Sequence, residues 1–371
     1  MWPTEDELPP IDAIIESMNP KFNLPYPMKS AINHGFPRNV GDAWVGAYTK
    51  NGYWFRLYWG GKDEWDEIVE EMWYRNEFML DSNSFRMFES QSGPLQLLVA
   101  KNIRSEVIGA ALLCKNGKIT HIGAHFVMEE FRHVGIGGKM LAEIMRQFPE
   151  VSINAPFYLL PSALKLGMSP KMAREILKIR VENSSGFPEL IETLPGVIVK
   201  NSSELDQIDF GKVSDFSKSV TSLDVNWNIS YSNLSTKLIC AFREGDCVGI
   251  AMQRNILNEK DTLPDLMISP LYAEDCQIAE VLLRNCLKDF YNPEEDFEFD
   301  EDPLAIYRRS VDFYILKENM EFSERLLKKL AGNDGKYSAR RVYYQTCSNA
   351  LLPSISHHRI FALGDPHAFL V

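Results

Sequence analysis

Phe126-Val127-Met128-Glu129-Glu130-Phe131-Arg132-His133-Val134-Gly135-Ile136-Gly137-Gly138-Lys139-Met140-Leu141 is the stretch on which the fold turns. An apolar strand ends here and a glycine-bearing turn follows. An amphipathic helix then begins, with Ile136, Leu141, Ile144, Met145 and Phe148 spaced to share one face. Gly135, Gly137 and Gly138 leave backbone N–H groups uncovered at the helix start, where the macrodipole favours negative charge. Arg132 and Lys139 add cations. Such a site suits a pyrophosphate.

Three patterns cradle phosphate in this way. A dinucleotide fingerprint needs G-x-G-x-x-G, but Met140 stands at its third glycine, and no βαβ repeat with a later ribose-binding acid follows. A P-loop needs G-x-x-x-x-G-K-[ST]; Gly138-Lys139 fits, whereas His133 and Met140 hold the other required places. The third pattern is R-x-x-G-x-G after a β-strand. Arg132-His133-Val134-Gly135-Ile136-Gly137 matches it in full, with Val127 on the strand before and Leu141 in the helix after. In this it resembles the acetyl-CoA-binding motif of the GNAT superfamily of N-acyltransferases.

The elements around the turn extend the resemblance. Tyr53–Trp59 reads as an aromatic strand broken by Gly60-Gly61, and the next helix places Trp65, Ile68, Val69, Met72 and Trp73 on one face. Leu95–Lys101, Val107–Cys114 and Lys118–Val127 read as strands, the last two joined by an Asn116-Gly117 hairpin turn. Strand Val151–Ala155 follows the glycine turn and its helix. The order β-α-β-β-β-α-β-α is the GNAT order, and Lys165-Leu166-Gly167-Met168 is similar to the Lys-Leu-Gly-Phe signature near the end of that fold. The likeness spans about residues 52 to 180. Residues 1–50, with Pro9, Pro10, Pro20, Pro25, Pro27 and Pro37, read as an irregular extension holding one short helix, Ile11–Met18.

The second half repeats the theme faintly. Glu204–Val220 reads as a helix, Leu238–Phe242 and Cys247–Arg254 as a hairpin, and Leu266–Ser269 as a strand before a helix with Ile278, Val281, Leu282 and Leu287 inward. It resembles the C-terminal acetyltransferase-like domain of two-domain GNAT proteins. Cys276, Gln277 and Ile278 replace the glycines, so Cβ atoms block a close backbone approach to pyrophosphate. The expected architecture is α/β (α+β), with tandem GNAT-like domains. Each is a central, mostly antiparallel mixed sheet flanked by helices, at 51–190 and a degenerate 191–371.

Composition sets the outer bounds. The chain has 371 residues, enough for about two domains, and its 45% hydrophobic and 24% charged content is that of an ordinary globular protein. A net charge of −12 argues against a general nucleic-acid binder and permits amine substrates. The cysteines (114, 240, 247, 276, 286 and 347) form no C-x-x-C pair, which disfavours structural zinc and fits reduced, buried thiols. With no secretory pattern and no apolar span, a cytoplasmic chain without a membrane partner is expected.

Acyl transfer from a CoA thioester to an amine needs an anchored donor, an ammonium that loses its proton, and a stabilised leaving thiolate. The resemblance implies that the backbone of Phe126, Val127 and Met128 pairs with the pantetheine arm as an added strand. It also implies that the N–H groups of His133, Val134, Gly135, Ile136, Gly137 and Gly138 hold the pyrophosphate, with Arg132 and Lys139 near it. Glu129 departs from the pattern, standing where many members carry proline. His121 and His125 lie four apart on one strand, which places them on the same side, and either has a pKa suited to general base work. Where many members carry a tyrosine to protonate the thiolate, this chain has Ala163, leaving Ser162 or Tyr158 as substitutes. The aromatic set Trp44, Tyr48, Tyr53, Trp54, Tyr58, Trp59, Trp65 and Trp73 reads as core packing, the acidic run 294–302 as a solvated loop, and His357-His358 as no metal site.

The expectation is therefore an acetyl-CoA-dependent N-acyltransferase, active in its first domain, transferring by direct attack in a ternary complex without a metal. Its acceptor would be a small-molecule or protein amine. The alternative is a CoA-binding pseudoenzyme or regulatory module. Oligomeric state is not legible.

Overall fold

The computed structural model describes residues 44–50, 53–74, 96–102, 104–116, 118–156, 159–169, 174–182, 188–230, 236–256, 265–291, 310–332, 336–348, 352 and 354–364. They divide into two units. One gathers the described residues up to Ala173 with the segment Tyr344–Leu352; the other gathers those of Arg174–Tyr343 and Pro353–Val371.

In the first unit the elements run β1 (Trp44–Lys50), β2 (Tyr53–Gly60), α1 (Lys62–Tyr74), β3 (Gln96–Asn102), β4 (Val107–Asn116), β5 (Ile119–Val127), α2 (Ile136–Gln147), β6 (Val151–Pro156) and α3 (Leu160–Lys165). Pairing follows that strand order. It is antiparallel from β1 to β5, with α1 lying in the connection between β2 and β3, and parallel between β5 and β6, where α2 makes the crossover. Trp65 and Ile68 of α1 and Ile136, Met140 and Ile144 of α2 are fully buried, as are Leu98 and Val99 of β3. The helical period thus does what it implies, laying apolar stripes on a sheet. After α3, Met168 N–H and Gly167 N–H return to the carbonyls of Ala163 and Leu164, with Gly167 left-handed at φ +100°. This glycine is a helix terminator.

Trp44–Lys50 corrects one expectation. Placed in the irregular extension by its neighbouring prolines, it is a strand paired with β2 from Lys50↔Tyr53 to Ala47↔Arg56 and beyond. Asn51-Gly52, between two aromatic runs, was the signal. The expected helix at Ile11–Met18 lies outside the described residues.

In the second unit the elements are β7 (Arg174–Glu182), β8 (Val197–Asn201), α4 (Gln207–Thr221), α5 (Trp227–Ser230), β9 (Thr236–Arg243), β10 (Asp246–Ile256), β11 (Asp265–Ala273), α6 (Cys276–Tyr291), β12 (Ser310–Leu316), α7 (Met320–Ala331), β13 (Lys336–Cys347) and β14 (Ile360–Ala362). The last residues of β13, from Tyr344, count with the first unit. Strand order is β7-β12-β11-β10-β9-β8, with β14 also on β11. Glu244 and Gly245 (φ +52° and +85°) make the tight turn between β9 and β10. The core gathers Ile278, Leu282 and Cys286 of α6 against Ile239, Ala251 and Ile268 of the sheet.

The units interleave along the chain. β7 pairs antiparallel with β12 from Ser310↔Glu182 to Leu316↔Ile176 in the second unit. Tyr344–Leu352 returns to the first. There Ser348 N–H donates to Val151 O (2.8 Å) and Ser169 N–H to Cys347 O (2.8 Å). Sequential domains divided at residue 190 miss this exchange.

The two units share a local plan. A three-residue parallel ladder joins Thr120–Ile122 to Val151–Ile153, and another joins Leu266–Ile268 to Val311–Phe313. Just past each ladder the central strand bulges. β5 passes from Gly123 to Phe126 opposite Leu112 and Ala110, and β11 passes from Ile268 to Leu271 opposite Gln253 and Ala251. Each has one extra residue at the same place.

Candidate functional site

The glycine turn starts from the end of β5. Glu129–Phe131 make one 3-10 turn, His133 is left-handed at φ +67°, and Gly135, at φ +91°, is the residue before α2. A left-handed residue at this point is natural for glycine. Gly135 has no side chain with which to cap the helix, and the first turn of α2 contains no acid. The first N–H groups of the helix therefore have neither an intrahelical nor a capping acceptor, and they carry the positive end of the dipole. Lys139 N–H begins the ladder by donating to Gly135 O (3.1 Å). A Cβ built on Gly138 meets nothing within 4 Å. These residues fit a phosphate group.

Gly137 is needed for another reason. A Cβ there would stand 3.1 Å from His125 Cε1 and 3.4 Å from Val127 Cγ2. Its absence lets α2 lie against β5. Arg132 folds back on the strand, its Nε–H donating to Val127 O (2.9 Å), while Met128 N–H donates to Ile108 O (3.0 Å). Among the expected arm-binding groups, the Met128 donor is thus already used inside the sheet. Along Gly123–Val127, beyond the ladder with β6, no described strand continues the pairing.

His121 and His125 do not face the same side. Alternation along the strand predicts that they do, but Ala124, at φ +37°, lies in the bulge and shifts the phase by one residue. His121 lies beside β6, its Nδ1 3.0 Å from Ser152 Oγ and its Nε2 3.5 Å from Asn154 Nδ2, and only 1% of its surface is exposed. The amide facing Nε2 and the hydroxyl facing Nδ1 assign the proton to Nδ1, leaving the lone pair on Nε2. His125 turns instead to α2, with Nε2 3.2 Å from Gly137 O, and its Nδ1 is buried without a hydrogen-bond partner. Burial holds its pKa below the ordinary histidine value, partly offset by the bond to Gly137 O. It is a neutral ring wedged between strand and helix.

Ser152 and Asn154 escaped sequence reasoning. The signal was there in Val151-Ser152-Ile153-Asn154-Ala155, whose polar residues alternate onto one face. Of the expected thiolate acids, Tyr158 lies outside the described residues. Ser162 falls within α3, but its side chain is likewise outside the description. Ala163 is buried. Trp65 is core, as expected, while the acidic run 294–302 is not described. His357 bonds through Nδ1 to Asn319 Oδ1 (2.7 Å). Among the described residues no group of three His, Cys, Asp or Glu side chains could hold a metal ion. A hollow of about 350 Å³ lies in the second unit, lined by Leu194, Val197, Val199, Val281, Arg284 and Lys288 among others; it includes none of the glycine turn. The described cysteines are all free thiols, and all but Cys276 are buried. No helix among the described residues is long and apolar enough to cross a membrane.

No protein-family model and no curated protein matches the sequence. Solved structures do match by shape. A Pyrococcus horikoshii protein assigned as an acetyltransferase aligns with a TM-score of 0.59 at 14% identity, over 91% of this chain and 100% of that one. A tandem GNAT protein from the clavulanic acid biosynthesis pathway aligns with a TM-score of 0.55 at 10% identity, over 80% of this chain and 99% of that one. At such identities the likeness speaks for architecture alone: the chain has the fold of these proteins, a tandem GNAT protein among them.

Proposed function

We propose that the chain is an acetyl-CoA-dependent N-acyltransferase, transferring to an amine by direct attack, with its working site in the first unit. The observation that carries this reading is the uncapped start of α2, presented by Gly135–Gly138 where β5 parts from β6. Bound there, acetyl-CoA would supply an acyl group activated as a thioester. The N–H groups from His133 to Gly138 would hold its pyrophosphate, with Arg132 and Lys139 adding positive charge, and the backbone of Gly123–Val127 would line its arm. His121 is the residue we assign as general base. Ser152 orients the ring through Nδ1, and Nε2 takes the proton of the ammonium, directly or through one water that displaces the long 3.5 Å contact from the Asn154 amide. His125 drops out of the catalytic set, because both its nitrogens are turned into the strand–helix interface.

Calorimetry with acetyl-CoA tests the site. Gly135→Glu places a carboxylate at the cradle, and Gly137→Glu drives the start of α2 off β5; both are expected to abolish binding, and unchanged affinity in either would sink the assignment. The burial of His121 favours one second reading, a donor-binding module without transferase activity. It predicts full donor affinity with no thiol release across a broad panel of amines.

A further inference from the structure

The parting strands and the helix start that mark the candidate site in the first unit have counterparts in the second, and there the chain itself supplies the occupant. β11 and β12 are paired in parallel only over Leu266–Ile268 and Val311–Phe313. Beyond this ladder β14 pairs antiparallel with β11, Leu271 against Ala362 and Tyr272 against Ile360. On the other side Leu363 N–H donates to Tyr314 O of β12 (2.7 Å). The segment Ile360–Leu363 therefore bridges the two strands at the level where β5 and β6 part in the first unit. Side chains bind its carbonyls. Asn319 Nδ2 donates to Ile360 O (3.1 Å), Ser323 Oγ to Phe361 O (2.9 Å) and Ser269 Oγ to Leu363 O (3.0 Å).

The helix start is satisfied in the same internal manner. Where Gly135 precedes α2, Asp275 precedes α6, and its Oδ1 accepts the N–H groups of Gln277 and Ile278, both at 2.9 Å. A carboxylate of the chain thus meets the dipole end at which α2 would meet phosphate. The helix is also seated closely on β10. A Cβ on Gly249 would lie 2.7 Å from Ile278 Cγ2 and 2.8 Å from Leu282 Cδ1. In the ladder, Met267 and Asp312 take the places of His121 and Ser152. Asp312 is paired with Lys178 (2.8 Å) and Arg180 (3.0 Å), and the ladder contains no histidine.

We propose that the second unit is a self-liganded copy of the first: Ile360–Leu363 stands in for the donor's arm and Asp275 for its phosphate, so that the chain takes up one donor molecule, in the first unit only. The location of that one molecule rests on the reading under Proposed function. A peptide strand suits the role because its N–H and C=O groups satisfy the edges of both parting strands, as in strand addition between proteins.

Hydrogen exchange read by mass spectrometry on the full chain, with and without saturating acetyl-CoA, tests it alongside calorimetric stoichiometry. The amides of Phe361–Leu363 are expected to exchange at least ~100-fold slower than an unstructured peptide in both states. Donor-dependent protection is expected only around residues 123–139, with a stoichiometry of one. Rapid exchange at Leu363, donor-induced exposure of Ile360–Leu363, new protection at Asp275–Ala279, or a stoichiometry of two would each overturn the proposal. Should no donor bind, the first-unit reading fails, and the exchange of Leu363 without donor still decides this one. Asp275→Ala is expected to lower Tm by about 2–4 °C, the effect of losing a helix cap, and to leave the stoichiometry at one.

Discussion

His125 has a ring nitrogen buried without a partner and a pKa pushed down by that burial. Its folded form is therefore neutral. As pH falls from the ordinary value of 6.5 toward the lower folded value, the unfolded chain takes up a proton that the folded chain refuses. Stability from this ring is complete above that window and is lost as pH falls through it. Urea midpoints at pH 7.5 and 5 should accordingly differ less in His125→Gln than in the wild type; an equal difference would mean that the ring does not titrate in this way. The neighbouring glycines separate packing from propensity. Gly138→Ala adds a methyl that meets nothing and should stabilise by up to about 1 kcal/mol through helix propensity. Gly137→Ala gains the same propensity but presses on the His125 ring, so its melting temperature should fall below that of Gly138→Ala.

The bulge in β5 is the element on which the chemistry depends. By reversing the strand's phase at Ala124 it directs His121 toward β6 and His125 toward α2. If His121 is the base, His121→Gln should reduce the rate on the order of 10²–10⁴-fold with acetyl-CoA affinity nearly unchanged, as read by thiol release and calorimetry. A parallel loss of affinity would make the residue structural. The strand itself and its helix were legible in local pattern, whereas β1 was hidden by the prolines before it, although Asn51-Gly52 signals its hairpin. The bulge was not, because it exists only as a mismatch in count between Gly123–Phe126 and Ala110–Leu112 on the facing strand. No property of the residues on one strand announces it.

Across the whole molecule the chain order and the folded units disagree, and this has a direct consequence. β7 closes one side of β12, whose residues are all buried, while Tyr344–Leu352 completes the first unit, with Thr346 Oγ1 donating to Ser169 O (2.7 Å) and Val151 N–H to Ser348 Oγ (3.2 Å). Fragments 1–190 and 191–371 expressed separately should therefore lack a cooperative thermal transition, and co-expression should restore it. A sharp transition in either fragment alone would show that the exchanged segments are dispensable. What the sequence determined by itself was short in range: the glycine turn, the strand before it, the amphipathic helix after it, and the absence of glycine at Cys276–Ile278. Those features follow from Cβ atoms, periodicity and caps acting within a few residues. Which histidine faces the ladder, which segment completes which unit, and what occupies the second cleft were decided only by tertiary structure. They depend on strand register and on hydrogen bonds between residues as distant as Val151 and Ser348, which no local pattern contains.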